Sequence, residues 1–162
     1  MLSYAKDSRK PMLRSHNDVK LLDQTQSHTE DLQIFPDGLV KYVEAGNYTK
    51  KQVFETRLAP QKLERLSTLL NGKAMRAVPG KIGSQIKVID GQIDKKLEIH
   101  HPGSEQIIEI ENFYPQLNSH RPAYPKVLVE LECMLQEIQR KAAKRPAPSE
   151  EEDWCPEALG KR

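Results

Sequence analysis

The sequence predicts an α+β fold, in which an antiparallel sheet carries one long C-terminal helix packed on it. Two observations carry this prediction. Short runs of alternating apolar and polar residues, separated by turns that contain Pro or Gly, fill the middle of the chain, as half-buried strands do. Residues 124–144, YPKVLVELECMLQEIQRKAAK, hold no Gly and no Pro after Pro125, and their apolar residues recur at helical spacing. We therefore expect the order strand meander, helix, strands, helix.

The first half of this order is a strand meander followed by a helix. Residues 31–58 show three β-rich runs separated by turns at Pro36-Asp37-Gly38 and Gly46-Asn47, which predicts a three-stranded antiparallel meander. A helix should then begin at Pro60, where the missing N–H of proline costs nothing. Its leucines recur at helical spacing, and Asn71-Gly72 supplies a C-terminal stop.

The second half repeats strands and helix. SQIKVID, residues 84–90, predicts a strand, and IDKKLEIHH and EQIIEIENF predict a hairpin around Pro102-Gly103-Ser104. The long helix then begins at Pro125. Its Leu128, Leu131 and Leu135 share one face, which we expect to be buried against the sheet.

Length and composition limit the number of domains and the classes of partner. The 162 residues suit one domain with tails, and the ends of the chain are polar. We predict a flexible N-terminal segment over residues 1–28, a single α+β domain over 29–144, and a flexible acidic and Pro-rich tail over 145–162. The net charge of +2 lacks the basic excess typical of nucleic-acid-binding proteins. Apolar runs are too short for a membrane span.

Several segments suggest a family. DGLVKY, LAPQKLERLSTLL, IENFYP and PAYPKVLVELEC, spread over residues 30–140, resemble a group of small bacterial α+β domains of unknown function that are often exported. The resemblance implies the fold class and a location outside the cytoplasm, and it carries over no catalytic or binding residues. Residues 1–10 lack the apolar core of a signal peptide. The chain as given therefore shows no targeting segment, and an extracytoplasmic location requires a truncated N-terminus.

Candidate catalytic and metal-binding residues have simpler structural interpretations. His100 and His101 are adjacent on a strand, so their side chains point to opposite faces and do not share one ion; we expect both at the rim of the sheet. Cys133 lies in mid-helix among glutamates, whereas a reactive thiolate prefers a cationic setting. Glu109 and Glu111 alternate with isoleucines, which is typical of the solvent side of a half-buried strand. We predict no catalytic, cofactor-binding or metal-ligating residue.

The two cysteines suggest a disulfide. Val129 and Cys133 lie nearly opposite the leucine stripe of the long helix and need a cover. The tail holds the only Trp and the only other cysteine, at Trp154-Cys155, and its length allows it to return along the helix. We therefore propose that Trp154 covers Val129 and that Cys133 pairs with Cys155 in an oxidising compartment. Two free thiols, as expected in the cytosol, are the alternative.

Together these patterns favour a non-catalytic α+β module that acts as an interaction or structural protein, with another protein as its partner. A small hydrolase-like enzyme, with a site assembled from scattered residues, is one alternative. A cytoplasmic regulatory domain is another. A deep pocket of titratable groups would favour the enzyme, and an exposed apolar surface would favour the interaction module.

Overall fold

The computed structural model describes residues 9–21, 27–87 and 91–161. Within these residues seven strands form one sheet, in the order β4-β3-β2-β1-β6-β7-β5. The strands are β1 (Leu13–Leu21), β2 (Ser27–Ile34), β3 (Leu39–Gly46), β4 (Gln52–Arg57), β5 (Lys81–Ile82), β6 (Gly91–His101) and β7 (Ser104–Ile110). The helices are α1 (Pro60–Asn71), α2 (Lys73–Arg76), a 3₁₀-helix (Pro115–Ser119), α3 (Lys126–Ala142) and α4 (Cys155–Ala158).

The sheet has two unlike faces. Alternate strand residues such as Leu13, Leu32 and Ile99 are buried and form one core with α1 and α3. The opposite face, which we call the open face, carries exposed or half-buried polar side chains, including His16 and Asp18 of β1. The protein is therefore a sheet with its helices on one side, which agrees with the predicted α+β class.

The sheet is mixed, whereas the sequence predicted an antiparallel one. Neighbouring strands pair antiparallel except β5, which runs parallel to β7 with Ile82 opposite Ile110. The reason is connectivity. Strand β6 lies along the chain between β5 and its partner β7, so a tight turn does not join β5 to β7 and does not force them to run in opposite directions.

The predicted flexible N-terminal segment contains a central strand, so the expected domain start at residue 29 is wrong. Strand β1 pairs with both β2 and β6. The sequence hid it because two of its core-facing positions are polar, Ser15 and Asn17, which are nevertheless buried. Ser15 accepts a hydrogen bond from Lys95, and Asn17 donates one to Glu30. Residues 1–8 and 22–26 of the predicted segment lie outside the described residues.

Most other predicted elements are present. The meander forms as β2 to β4, α1 begins at Pro60, and β6 and β7 form the hairpin, with Gly103 at φ +80° in its turn. The strand predicted over 84–90 is absent over residues 84–87, and 88–90 lie outside the described residues. There the Ser84 hydroxyl donates to the carbonyl of Ile86, a local bond that competes with a sheet ladder.

Helix α3 is enclosed on more than one side. Leu128, Leu131 and Leu135 are buried as predicted, and Val129 is fully buried as well. The tail, predicted to be flexible, instead packs at its distal end. Helix α4 contacts α3 and the 3₁₀-helix, and Trp154 packs against the core. Apolar contact made by these residues compensates for the entropy lost when the tail becomes ordered. The acidic composition of the tail concealed this contact.

Candidate functional site

A groove of about 1030 Å³ lies between α1–α2 and α3, and we call it the interhelical groove. Its apolar lining comes from three parts of the chain: Leu69 of α1, Val127 and Met134 of α3, and Leu159 of the tail. Leu69, Met134 and Leu159 are half-buried, so each offers part of its apolar surface to the groove. An apolar groove on a small domain is a typical docking surface for a ligand or a peptide.

The sequence positions these side chains through helix periodicity. Leu66 and Leu70 take the core-facing positions of α1, which places Leu69 at the flank of the helix. In α3, Leu131 and Leu135 face the core, and Met134 lies beside that stripe. The apolar lining of the groove therefore comes from residues that border the core, between the two helices.

Charged residues surround the groove unevenly. Lys62, near the start of α1, forms an ion pair with Glu137, near the end of α3, so the two helices run antiparallel. Lys73 and Lys126 consequently mark the other end, where α2 follows α1 and where α3 begins. Lys161 borders the groove from the tail. Exposed Lys73 and Lys126 therefore line one end of the groove together with Glu130, one turn into α3.

The two cysteines hold the tail beside this groove. Cys133 and Cys155 lie at disulfide distance, with their Cα atoms 6.0 Å apart, which agrees with the predicted pairing. Cys133 lines the groove, and Leu159 follows α4 directly. The cysteine pair therefore anchors the segment that supplies one wall. Trp154 is half-buried beside the pair, and Val129 is fully buried.

A second groove, of about 660 Å³, lies on the open face between β1, β6, β7 and β5. It holds titratable groups that already contact one another. His16 Nδ1 lies 3.1 Å from Asp31, and its Nε2 lies 3.6 Å from Asp18. Asp94 accepts hydrogen bonds from the Gln92 side chain. These contacts are typical of the polar face of a sheet.

The carboxylates of Glu109 and Glu111 both border this second groove. Glu109 lies opposite Lys96 in the β6–β7 ladder and opposite Lys81 in the β5–β7 pair. Cross-strand pairs of opposite charge stabilise a sheet surface. Over the described ranges, no three His, Cys, Asp or Glu side chains form a group that could hold a metal ion.

A buried polar cluster lies on the helix side of the sheet. Lys95 of β6 donates to the Ser15 hydroxyl at 2.7 Å and forms an ion pair with Glu132 of α3 at 2.8 Å. A serine beside a lysine is a nucleophile–base pair in some hydrolases. Here Ser15 is fully buried, and an ion-paired ammonium has no lone pair with which to accept a proton. The cluster therefore joins sheet to helix.

Sequence analysis missed this cluster because its members are far apart in the chain. One signal was present. In IDKKLEI, Lys95 occupies a position that alternation assigns to the core, between Ile93 and Leu97. A lysine at such a position predicts a buried partner of opposite charge, since an unpaired buried charge is very costly.

The adjacent histidines do face opposite sides, as predicted. His100 is exposed, but His101 is buried rather than at the rim. The ring nitrogens of His101 lie 2.8 Å from Asn71 Oδ1 and 2.7 Å from Gln106 Oε1. Gln106 in turn donates to the carbonyl of Met75. His101 therefore joins the end of α1 to the β6–β7 hairpin, and Gln106 joins α2 to the same hairpin.

The clearest displaced pKa values belong to structural contacts. Burial is the main cause that raises the pKa of Tyr42, whose hydroxyl donates to Glu44 at 2.7 Å. A paired hydrogen bond from Arg145 holds the pKa of Glu44 below its ordinary value. Since Arg145 follows α3 and Glu44 lies on β3, this pair ties the end of the helix to the sheet.

None of the helices in the described part of the chain is both long enough and apolar enough to span a membrane. No protein-family model matches the chain, and a search of curated proteins found no match either.

Proposed function

We propose that this chain is a non-catalytic interaction module that binds a segment of another protein in the interhelical groove. The observation that carries the proposal is the interhelical groove of about 1030 Å³, where half-buried apolar side chains lie among charged ones. Half-buried apolar side chains retain apolar surface that a bound partner would remove from water. This burial stabilises a complex by about 25 cal/mol per Å². The charged border would then orient the partner, because charges at a rim contribute more to specificity than to affinity.

The other two polar sites support this proposal over an enzyme. The Ser15–Lys95 contact is sealed between sheet and helix, where Ser15 is 0% exposed. The titratable groups of the open face lie within a network of cross-strand contacts, such as Arg14 with Asp31 at 2.8 Å. Neither arrangement combines a reactive group with an apolar pocket, as a catalytic site does.

Site-specific photo-crosslinking tests the proposal. A photoreactive residue at Thr68, which is exposed and lines the groove, should capture a protein partner when the chain is expressed in its native cells. The same residue at Lys41, which is exposed on the open face, is the control. Met134→Glu should abolish the Thr68 adduct by placing a charge on the apolar floor. Equal capture from both positions would show that the groove is not the docking surface.

A hydrolase is the second candidate, favoured by the 2.7 Å contact between Lys95 Nζ and Ser15 Oγ. It requires an opening of the sheet–helix interface that exposes the hydroxyl. A fluorophosphonate probe should then label the wild-type protein, whereas Ser15→Ala should abolish the labelling. We expect no labelling of either form, because the hydroxyl is enclosed.

We also propose a location in an oxidising compartment outside the cytoplasm, in line with the resemblance to exported domains. The proximity of Cys133 and Cys155 supports this location, since disulfides persist in oxidising compartments. A cytoplasmic regulatory domain would instead keep both thiols reduced. Cell fractionation with an antibody against the chain distinguishes the two locations.

A further inference from the structure

We infer that the interhelical groove takes an acidic peptide segment that is anchored by apolar side chains. This inference rests on the proposed function and names the class of partner. Three properties of the groove lead to it: its apolar floor, the excess of positive charge at one end, and the packing of the chain's own acidic tail nearby.

The apolar floor of the groove indicates that the partner contributes apolar side chains. Leu69, Met134 and Leu159 line the groove from three different parts of the chain. The thioether of Met134 is flexible and polarizable, so it adapts to different apolar side chains. From Lys126 to Glu137, α3 rises about 16 Å, which is the length of about eleven residues of a bound helix. Two or three apolar anchors of an amphipathic helix fit this length.

The charges at the border of the groove indicate which charged side chains the partner carries. Glu137, at one end, is already held by Lys62 and by Lys141, the latter at 3.0 Å. Lys73 and Lys126 line the other end, where Glu130, one turn into α3, is a carboxylate, and Lys161 borders the groove from the tail, so cations still outnumber carboxylates away from Glu137. Lys126 is also the first residue of α3, where the helix dipole adds positive potential. Carboxylates on the partner would therefore be favoured at this end.

The protein's own tail has the composition of such a ligand. The acidic run Glu150–Asp153 directly precedes Trp154, and Trp154 and Leu159 pack against the core beside α3. Apolar side chains that follow an acidic run thus already pack beside this helix, while Glu152 and Asp153 make hydrogen bonds within the tail. The interhelical groove lies next to it and shares Cys133 and Leu159 with it.

Synthetic peptides test the inference. The probe is a labelled amphipathic peptide of about twelve residues, long enough to span the groove as a helix, with leucines on one face and glutamates on the other. A second peptide carries lysine in place of every glutamate, and a third carries serine in place of every leucine. Fluorescence anisotropy with the oxidised full chain measures binding. We expect the acidic peptide to bind at least about tenfold more tightly than either control, and added salt to weaken it.

Charge-reversal variants locate the binding site. Lys73→Glu and Lys126→Glu should each weaken the acidic peptide several-fold. Lys96→Glu, an identical charge change at an exposed position of the open face, should leave it unaffected. Met134→Glu should abolish binding, whereas Met134→Leu should preserve it, and circular dichroism verifies that both variants are folded.

The outcomes separate this inference from the proposed function. Equal binding of the acidic and basic peptides, or an equal loss in Lys96→Glu, overturns the acidic partner. If the acidic peptide does not bind while the crosslinker at Thr68 captures a protein, the partner class is wrong and the interaction module stands. If neither experiment detects binding at the groove, both proposals fall.

Discussion

The ammonium nitrogen of Lys95 lies 2.8 Å from a carboxylate oxygen of Glu132, and the two side chains are only 2% and 8% exposed. Lys95 is on β6, beside the central strand, and Glu132 is on α3, so the ion pair joins the two layers of the fold through the core. The aromatic ring of Phe113 lies 5.9 Å from the same nitrogen and adds a cation–π contact. A buried pair of this kind tolerates the removal of both charges far better than the removal of one.

Glu132→Ala should therefore lower the free energy of unfolding by about 3–5 kcal/mol, because it leaves the Lys95 charge buried and unpaired. The double variant Lys95→Met with Glu132→Leu should recover most of this loss. Urea denaturation measures both changes. Lys96→Met, on the exposed neighbour of Lys95, is the matched control and should change stability by less than about 0.5 kcal/mol. A Glu132→Ala variant as stable as the wild type would contradict the buried pair.

Leu131→Ala should lower the free energy of unfolding by about 2–5 kcal/mol. Leu131 is 1% exposed and lies on the face of α3 that packs into the core, so the truncation loses apolar contact and leaves a cavity. Chemical denaturation measures the change. Gln136→Ala, on an exposed position of the same helix, is the control for helix propensity. A loss well below about 1 kcal/mol for Leu131→Ala would show that α3 buries a different face.

Reduction of the Cys133–Cys155 pair should destabilise the protein by about 3 kcal/mol in the chain-entropy model, given its separation of 22 residues. A dithiol reductant would supply the two electrons and two protons that convert the disulfide to two thiols. Denaturation of the wild type with and without reductant measures the loss, and Cys155→Ser should match the reduced protein and be insensitive to reductant. Trp154, the only Trp, reports release of the tail by its fluorescence.

The same prediction has a chemical test. Non-reducing mass spectrometry of the protein purified from its native compartment should show no alkylatable thiol. Two alkylatable thiols in that preparation would exclude the disulfide, and with it the argument for an oxidising compartment.

Glu137 should show an acid-sensitive contribution to stability. The hydrogen bond from Lys62, with a second from Lys141, lowers the pKa of Glu137 from its ordinary 4.5 to about 2. A carboxylate with a depressed pKa stabilises the folded state above its unfolded pKa and loses that effect as pH falls through the folded pKa. The contribution should therefore vanish between about pH 4.5 and pH 2. Because the side chain is 41% exposed, solvent screening keeps it small.

Carbon-13 NMR of the Glu137 carboxyl group measures its titration directly. Lys62→Met should return the midpoint toward the ordinary value, whereas Lys96→Met, on the open face, should not move it. A wild-type midpoint near 4.5 would contradict the Lys62 contact.

Local pattern was enough to predict the elements in which one periodicity dominates. Helix α1 begins at Pro60, α3 buries Leu128, Leu131 and Leu135, and the β6–β7 hairpin turns at Gly103. In each case the apolar spacing agrees with the turn or capping residues at the ends. The cysteine pairing was also within reach, because a chain with two cysteines has only one intramolecular pairing to propose.

Tertiary structure decided the rest, since it depends on which distant segments supply partners. Ser15 and Asn17 are polar, so the alternation that would predict the central strand β1 is interrupted. Their burial depends on Lys95 and Glu30, which come from other parts of the chain. The tail reads as acidic, yet contact with α3 and the 3₁₀-helix orders α4. The interhelical groove has no motif at all. It exists because α1 and α3 leave a space over half-buried side chains, and the spacing of two helices is a property of packing that periodicity in one segment does not encode.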